Sequence, residues 1–193
     1  GTVAVNAATT VPSTTTLSMT GGTVQGTGDL TAQGAFNWSA GTIQGSGTLT
    51  TSGTTTLNPA SSVSLSGTRV WSNTGTVNQS GAGYLYMPSG TATVTNQAGA
   101  TWNEGSTNAS YVMYSGTFNN AGIFNKTGTN TAQIAGGAVF NNTASGTNAV
   151  NVNAGTLQLN TGTSTDSGKY VVASGTTLEF NGGTRNLNSG INV

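Results

Sequence analysis

The groups able to do acid–base or nucleophilic chemistry in this 193-residue chain are few: Asp29, Glu104, Asp166 and Glu179, Lys126 and Lys169, Arg69 and Arg185. There is no His and no Cys. That removes His-relayed and thiol nucleophiles and the usual ligands of zinc and iron. Paired carboxylates remain as a route, either to cleave a glycosidic bond or to hold Ca2+. Asp166 and Glu179, thirteen residues apart, could meet on facing strands; the competing reading is two solvated surface acids. Neither lysine has an evident activating neighbour. GTGDL (26–30) and GSGTL (45–49) offer glycines but no following helix and no Lys-Ser/Thr, so they lack the parts of a phosphate cradle. The expectation is a non-enzymatic chain with no metal and no cofactor.

Binding chemistry has better material. Four of the five tyrosines (Tyr84, Tyr86, Tyr111, Tyr114) and Trp102 fall in one short stretch. In GYLYMP (83–88), strand alternation sets Tyr84 and Tyr86 on one face and Leu85 and Met87 on the other. With Leu85 and Met87 in a core, both tyrosines point out. Exposed rings beside hydroxyls and amides suit neutral glycans, with rings stacking on sugar faces and polar groups taking their hydroxyls. The second reading is that these five aromatics fill a wider core or cover strand edges. Thr-rich runs at 14–16, 48–50, 54–56 and 91–95 raise ice binding as another surface role. That role needs the same Thr pair on every repeat, and GYLYMP, TWNEG and TFNNAG interrupt it.

The elements that position these residues follow from composition. Only 4% of the chain is charged, against about 25% in ordinary domains, and its formal net charge is zero. This leaves no electrostatic footprint for nucleic acid. No apolar run approaches the roughly 20 residues of a membrane span. Thr makes up about one residue in five, with Val and Ile spread through the chain, while strong helix formers are scarce and Gly recurs every few residues. The chain must build from short strands.

GTVQGTGDLT (22–31) returns nineteen positions later as GTIQGSGTLT (41–50). The same offset sets Leu17 and Met19 against Phe36 and Trp38, Val24 against Ile43, and Leu30 against Leu49. Looser copies follow in GTVNQSG (75–81), ATWNEGS (100–106), GTFNNAG (116–122), GIFNKTG (122–128), AVFNNTASG (138–146) and LEFNGGT (178–184). Each reads as an apolar or aromatic residue, then Asn, then a Gly turn. In VNVNAGTLQLN (150–160), Val150 and Val152 share a face, a turn falls at Ala154-Gly155, and Leu157 and Leu159 point inward. Such a unit cannot bury its own apolar face and must stack on its neighbours. The sequence therefore predicts one β-solenoid over 1–193, with coils of about 20 residues, Gly at the corners, and Thr, Ser and Asn forming ladders outside or along corners. Nine or ten coils would make a rod of about 45 Å. A β-sandwich is the alternative, since short strands with frequent turns also describe that fold.

FNWSAGTIQGSGTLT (36–50), TNTAQIAGGAVFNNTASGTNAVNVNAGTLQLN (129–160) and GKYVVASGTTLEFNGG (168–183) resemble the repeats of large bacterial surface proteins, the filamentous haemagglutinin-like adhesins and related autotransporter passengers. The resemblance covers most of the chain and is weakest over 84–114. It implies a right-handed parallel β-helix, export to the bacterial surface or beyond, and a role as stalk or adhesin. The expected partners are surface glycans or host and abiotic surfaces, neighbouring repeats of the same chain, and copies of itself in an extracellular filament, with no nucleic acid and no membrane insertion. The closing stretch, 175–193, ends in mid-pattern, and the chain reads as a segment of a longer repeat protein.

Overall fold

The computed structural model describes residues 1–88, 91–108 and 110–188; the last five residues of the closing stretch lie outside the described residues. Every strand pairing among the described residues is parallel, each strand bonding to its counterpart one coil on. A sandwich built on hairpins would be antiparallel, so the β-sandwich alternative is overturned. The chain winds as a β-solenoid of about 8 turns, with about 22 residues per coil.

Each coil has three faces. On the first lie Thr54–Leu57, Thr76–Gln79, Thr101–Glu104, Ile123–Lys126, Val150–Val152 and Tyr170–Val172. The second carries Ser62–Leu65, Tyr84–Tyr86, Met113–Tyr114, Thr131–Ala135, Thr156–Leu159 and Thr177–Phe180. The third is a nine-stranded sheet from Thr9–Val11 to Arg185–Leu187. Two early strands, Leu17–Gln25 and Phe36–Ile43, run through the first corner without a break, which joins the first two faces into one 15-stranded sheet.

The nineteen-residue offset is the register itself. Leu17 pairs with Phe36, Met19 with Trp38, Val24 with Ile43 and Leu30 with Leu49. Later coils are longer because more residues separate successive strands: Glu104 from Met113 and Asn142 from Val150 in particular. That growth explains why there are fewer turns than the shorter early period predicts.

Alternation then sorts the side chains. Inward residues form one core running along the rod. It holds a line of aromatics: Trp38 lies 5.8 Å from Trp71, Trp71 5.1 Å from Trp102, Trp102 5.0 Å from Phe118, and Phe118 5.5 Å from Phe140. Each fully buried Leu, Ile or Phe contributes about 1.5–3 kcal/mol, and every one of them packs against residues of other coils.

Two asparagine ladders run parallel to the axis. The outer one, on the first face, links Asn78, Asn103, Asn125 and Asn151 by amide-to-amide bonds of 2.8 Å. The inner one, buried where the third face turns into the first, links Asn73, Asn96, Asn120 and Asn142 at 2.8, 2.9 and 3.2 Å. Its amides also bind the corner backbone: Asn96 Nδ2 donates to the Ile123 carbonyl at 2.9 Å, and Asn142 Nδ2 to that of Lys169 at 3.1 Å. These asparagines thus supply the partners that buried corner groups would otherwise lack.

Candidate functional site

Tyr84 and Tyr86 flank Leu85, which is fully buried, so both rings emerge half-buried on the second face. Tyr86 stands in register with Tyr114 on the next coil, as Leu85 does with Met113. Tyr111 arrives from the corner before that strand, its ring centroid 4.9 Å from that of Tyr114. The other ring pairs are 6.0 Å (Tyr84–Tyr111), 6.0 Å (Tyr86–Tyr114), 6.3 Å (Tyr84–Tyr114) and 6.4 Å (Tyr84–Tyr86). Tilted and edge-on contacts of this kind hold each ring by its neighbours. One coil further on, Gly136 (φ 71°) lies under Tyr114. Any side chain there would strike the ring, so this glycine makes room for the patch as well as for the turn.

The outward neighbours on the coils directly before and after are polar and uncharged, and a carboxylate, Glu179, stands further along the face. Ser62 and Ser64 pair with Tyr84 and Tyr86 on the coil before. On later coils Gln133 and Gln158 follow on the same face, and Gln158 Nε2 donates to Glu179 Oε2 at 2.8 Å. The structure therefore brings four of the five aromatics singled out in the sequence together on the outside.

Trp102 is the correction. It is fully buried between Trp71 and Phe118, and its indole N–H donates to Gln79 Oε1 at 3.0 Å. In Thr101–Glu104 alternation sends Thr101 and Asn103 out and Trp102 and Glu104 in. Its register with Val77, the apolar residue of GTVNQSG, was the sequence signal.

The carboxylates do not form a hydrolytic pair. Asp166 points inward on the third face and is fully buried, with its Oδ2 2.6 Å from Arg185 Nε. Glu179 points outward on the second. The reading of Asp166 as a solvated acid is thus overturned: alternation along Ser164–Asp166 puts both end residues inside. Asp29 is an exposed corner residue that accepts the Thr48 N–H at 2.7 Å. Arg69 spans coils, donating to the carbonyls of Gly26, Gly28 and Gln44 at 2.9–3.3 Å in the stacked Gly corners of the repeated phrase. Burial pulls its guanidinium below the ordinary arginine value.

Sequence reasoning passed over a buried polar file on the first face. Gln79, Glu104 and Lys126 succeed one another in register, all turned inward. Glu104 Oε1 accepts the Ser106 N–H at 2.9 Å and the Ser106 hydroxyl, while Oε2 has no partner. Lys126 Nζ donates to the Gly128 carbonyl and to Asn130 Oδ1. Burial pushes the Glu104 carboxyl up and the Lys126 ammonium down, against the weaker pull of each on the other. The signal was the spacing: each lies two residues after an inward aromatic, in Trp102-Asn-Glu104 and Phe124-Asn-Lys126.

On the third face the outward pairs read Thr48/Thr50, Val70/Ser72, Thr93/Thr95, Thr117/Asn119 and Val139/Asn141. Thr-x-Thr occurs in two of these five and not in succession, so no unbroken Thr array covers this face. Comparison with protein-family models, with curated proteins and with solved structures finds no match to this chain.

Proposed function

We propose that this chain is a non-enzymatic stalk or adhesin segment of a secreted or cell-surface bacterial protein, and that Tyr84, Tyr86, Tyr111 and Tyr114 form its contact with neutral glycans. The observation that carries this reading is the gathering of four half-exposed rings on one face, with serines on the coil before and a glutamine on the coil after. Sugar rings present apolar C–H faces and hydroxyl edges, which match rings and amides in turn. The rest of the molecule suits a spacer: hydrogen bonds between coils run along the axis, and charge is nearly absent.

The test is binding of the purified chain to a broad panel of immobilised neutral glycans, beside a variant carrying Tyr84→Ala, Tyr86→Ala and Tyr114→Ala. Saturable binding that drops at least tenfold in the variant, with an unchanged circular dichroism spectrum, supports an adhesive module. No binding by either protein refutes glycan recognition and leaves a spacer.

A second reading is end-to-end association. The large apolar side chains that are exposed, Val3, Val171, Val172, Phe180 and Leu187, sit on the first and last described coils. Neighbouring repeats or a second copy would cover them. Sedimentation velocity across a concentration series separates the two, because only self-association shifts the boundary.

A further inference from the structure

The file of Gln79, Glu104 and Lys126 contains more chemistry than a corner cap requires. In its first coil the task is done by an uncharged residue, Gln79, which binds the Val112 carbonyl at 2.7 Å and the Trp102 indole. The next two coils replace it with a buried acid and a buried amine, both with no exposed surface. Isolated charges in such a place are costly, yet the two groups do not meet as an ion pair; among the described residues the ion pair is Asp166–Arg185. Instead the amine donates to the Gly128 carbonyl and to a carboxamide. Lys126 Nζ lies 3.2 Å from Asn130 Oδ1, and the amide carbon is one bond of about 1.2 Å beyond that oxygen. The carboxamide is held from its other end, where Asn130 Nδ2 donates to the Asn108 carbonyl. The amide carbon therefore lies roughly 3.4–4.4 Å from Nζ, and a small rotation of the lysine side chain brings it to the roughly 3–3.5 Å separation of groups poised to react.

We propose that Lys126 and Asn130 join spontaneously in an isopeptide bond, with Glu104 carrying the proton. Three observations meet at this corner. The nucleophile and its electrophile are in hydrogen-bond contact, the amine fully buried and the carboxamide half-buried at the mouth of a groove. The acid stands in register with the lysine on the adjacent coil, anchored through Oε1 by Ser106 and with Oε2 unpartnered. A surface groove of about 310 Å³, lined by Gly105, Ser106, Thr107, Gly128, Thr129 and Asn130, opens over the corner and lets a small product out.

The chemistry balances without an oxidant or a further reactant. A proton passes from the Lys126 ammonium to the Glu104 carboxylate, once a side-chain rotation or one water joins them, leaving a neutral amine and a neutral acid. Burial favours that state of both groups. The Nζ lone pair adds to the Asn130 amide carbon, forming the C–N bond. Glu104 gives its proton to the departing amide nitrogen and takes one from the attacking nitrogen. The old C–N bond breaks, ammonia leaves through the groove, and Glu104 ends protonated. An amide joins the two side chains, and the lysine loses its charge.

Intact-mass spectrometry of the purified chain tests this, together with tryptic digestion after full denaturation. The expected mass is that of the sequence less one ammonia. Trypsin should fail to cut after Lys126 while still cutting after Lys169, Arg69 and Arg185. In Asn130→Ala the mass deficit should vanish and cleavage after Lys126 return. Asn130→Asp should lose one water in place of ammonia. Glu104→Gln, a residue this file already accommodates at Gln79, should abolish or greatly slow the loss without unfolding the rod. A full sequence mass with complete cleavage after Lys126, persisting through prolonged incubation of the folded protein, overturns the proposal. So does an ammonia loss that survives Asn130→Ala, which would arise at another asparagine such as Asn181 before Gly182.

Discussion

Inward and outward positions on this rod differ by one residue, and the consequences for a side chain are opposite. Trp102 and Tyr86 are both aromatic, yet only the first is core. Trp102→Ala should destabilise by about 3–5 kcal/mol, read from urea unfolding, whereas Tyr86→Ala should cost about 1 kcal/mol or less, as for other surface positions. Comparable losses from the two would mean that the tyrosines are structural. Glu104 makes a pH prediction. Burial holds its folded-state carboxyl above the unfolded value, so the native chain keeps a proton that the unfolded chain has released. Stability should therefore fall as pH rises from about 4.3, the unfolded glutamate value, through the folded one. Glu104→Gln should remove that decline. Denaturation midpoints measured across this range decide it, and a slope unchanged in the variant would assign the effect elsewhere.

At the scale of strands and corners, geometry repeats from coil to coil and so do its demands. Gly45 sits directly above Gly26 with φ 110°, and a methyl group there would run into the Gly26 carbonyl. Gly45→Ala should cost about 1–3 kcal/mol from backbone strain alone, more than Gly1→Ala, which meets nothing. The two asparagine ladders separate burial from pattern. Asn96→Ala strands the Asn120 amide oxygen and the Ile123 carbonyl in a dry corner, at about 1–3 kcal/mol for each unsatisfied group, and leaves Asn73 Nδ2 only its longer bonds to the Gly75 and Thr101 carbonyls. Asn103→Ala breaks two bonds of equal length on the outside, where water replaces them, and should cost well under half as much. Thermal melts of the pair check this order. Equal losses would show that ladder continuity, not burial, sets the contribution.

Over the whole rod, contacts join each coil to its neighbours, so stability is close to a sum over coils. Register makes this testable by excision. Thr54 pairs with Thr76, so removing residues 54–75 reconnects the chain one full coil later with every face preserved. The shortened protein should keep its β-rich circular dichroism, lose about 4.8 Å of length by X-ray scattering, and melt at a lower temperature. Removing half that number should abolish folding, because first-face residues would then land on another face. A half-coil deletion that folds would contradict the parallel register.

The residues alone pointed to the solenoid over a sandwich, to the nineteen-residue coil pairing and, with Leu85 and Met87 inside, to an outward Tyr84 and Tyr86, because all three follow from local rules. Alternation assigns a side chain to a face, Gly marks a corner, and a repeated phrase such as 22–31 and 41–50 aligns one coil on the next. The same rule, applied to TWNE and IFNK, would have placed Trp102 in the core and Glu104 and Lys126 beneath the corner. For Trp102 the residue type suggested a ligand role, and type prevailed over position. Other features depended on the three-dimensional winding. The number of turns followed from how many residues separate Glu104 from Met113 and Asn142 from Val150, which no strand pattern encodes. Tyr111 joined Tyr84 only because a corner folds back over the second face. Lys126, Asn130 and Glu104 became one site because a coil of about 22 residues stacks the acid of one turn beside the amine of the next. Parallel stacking converts separation along the chain into adjacency along the axis, and only the folded register says which residues become neighbours.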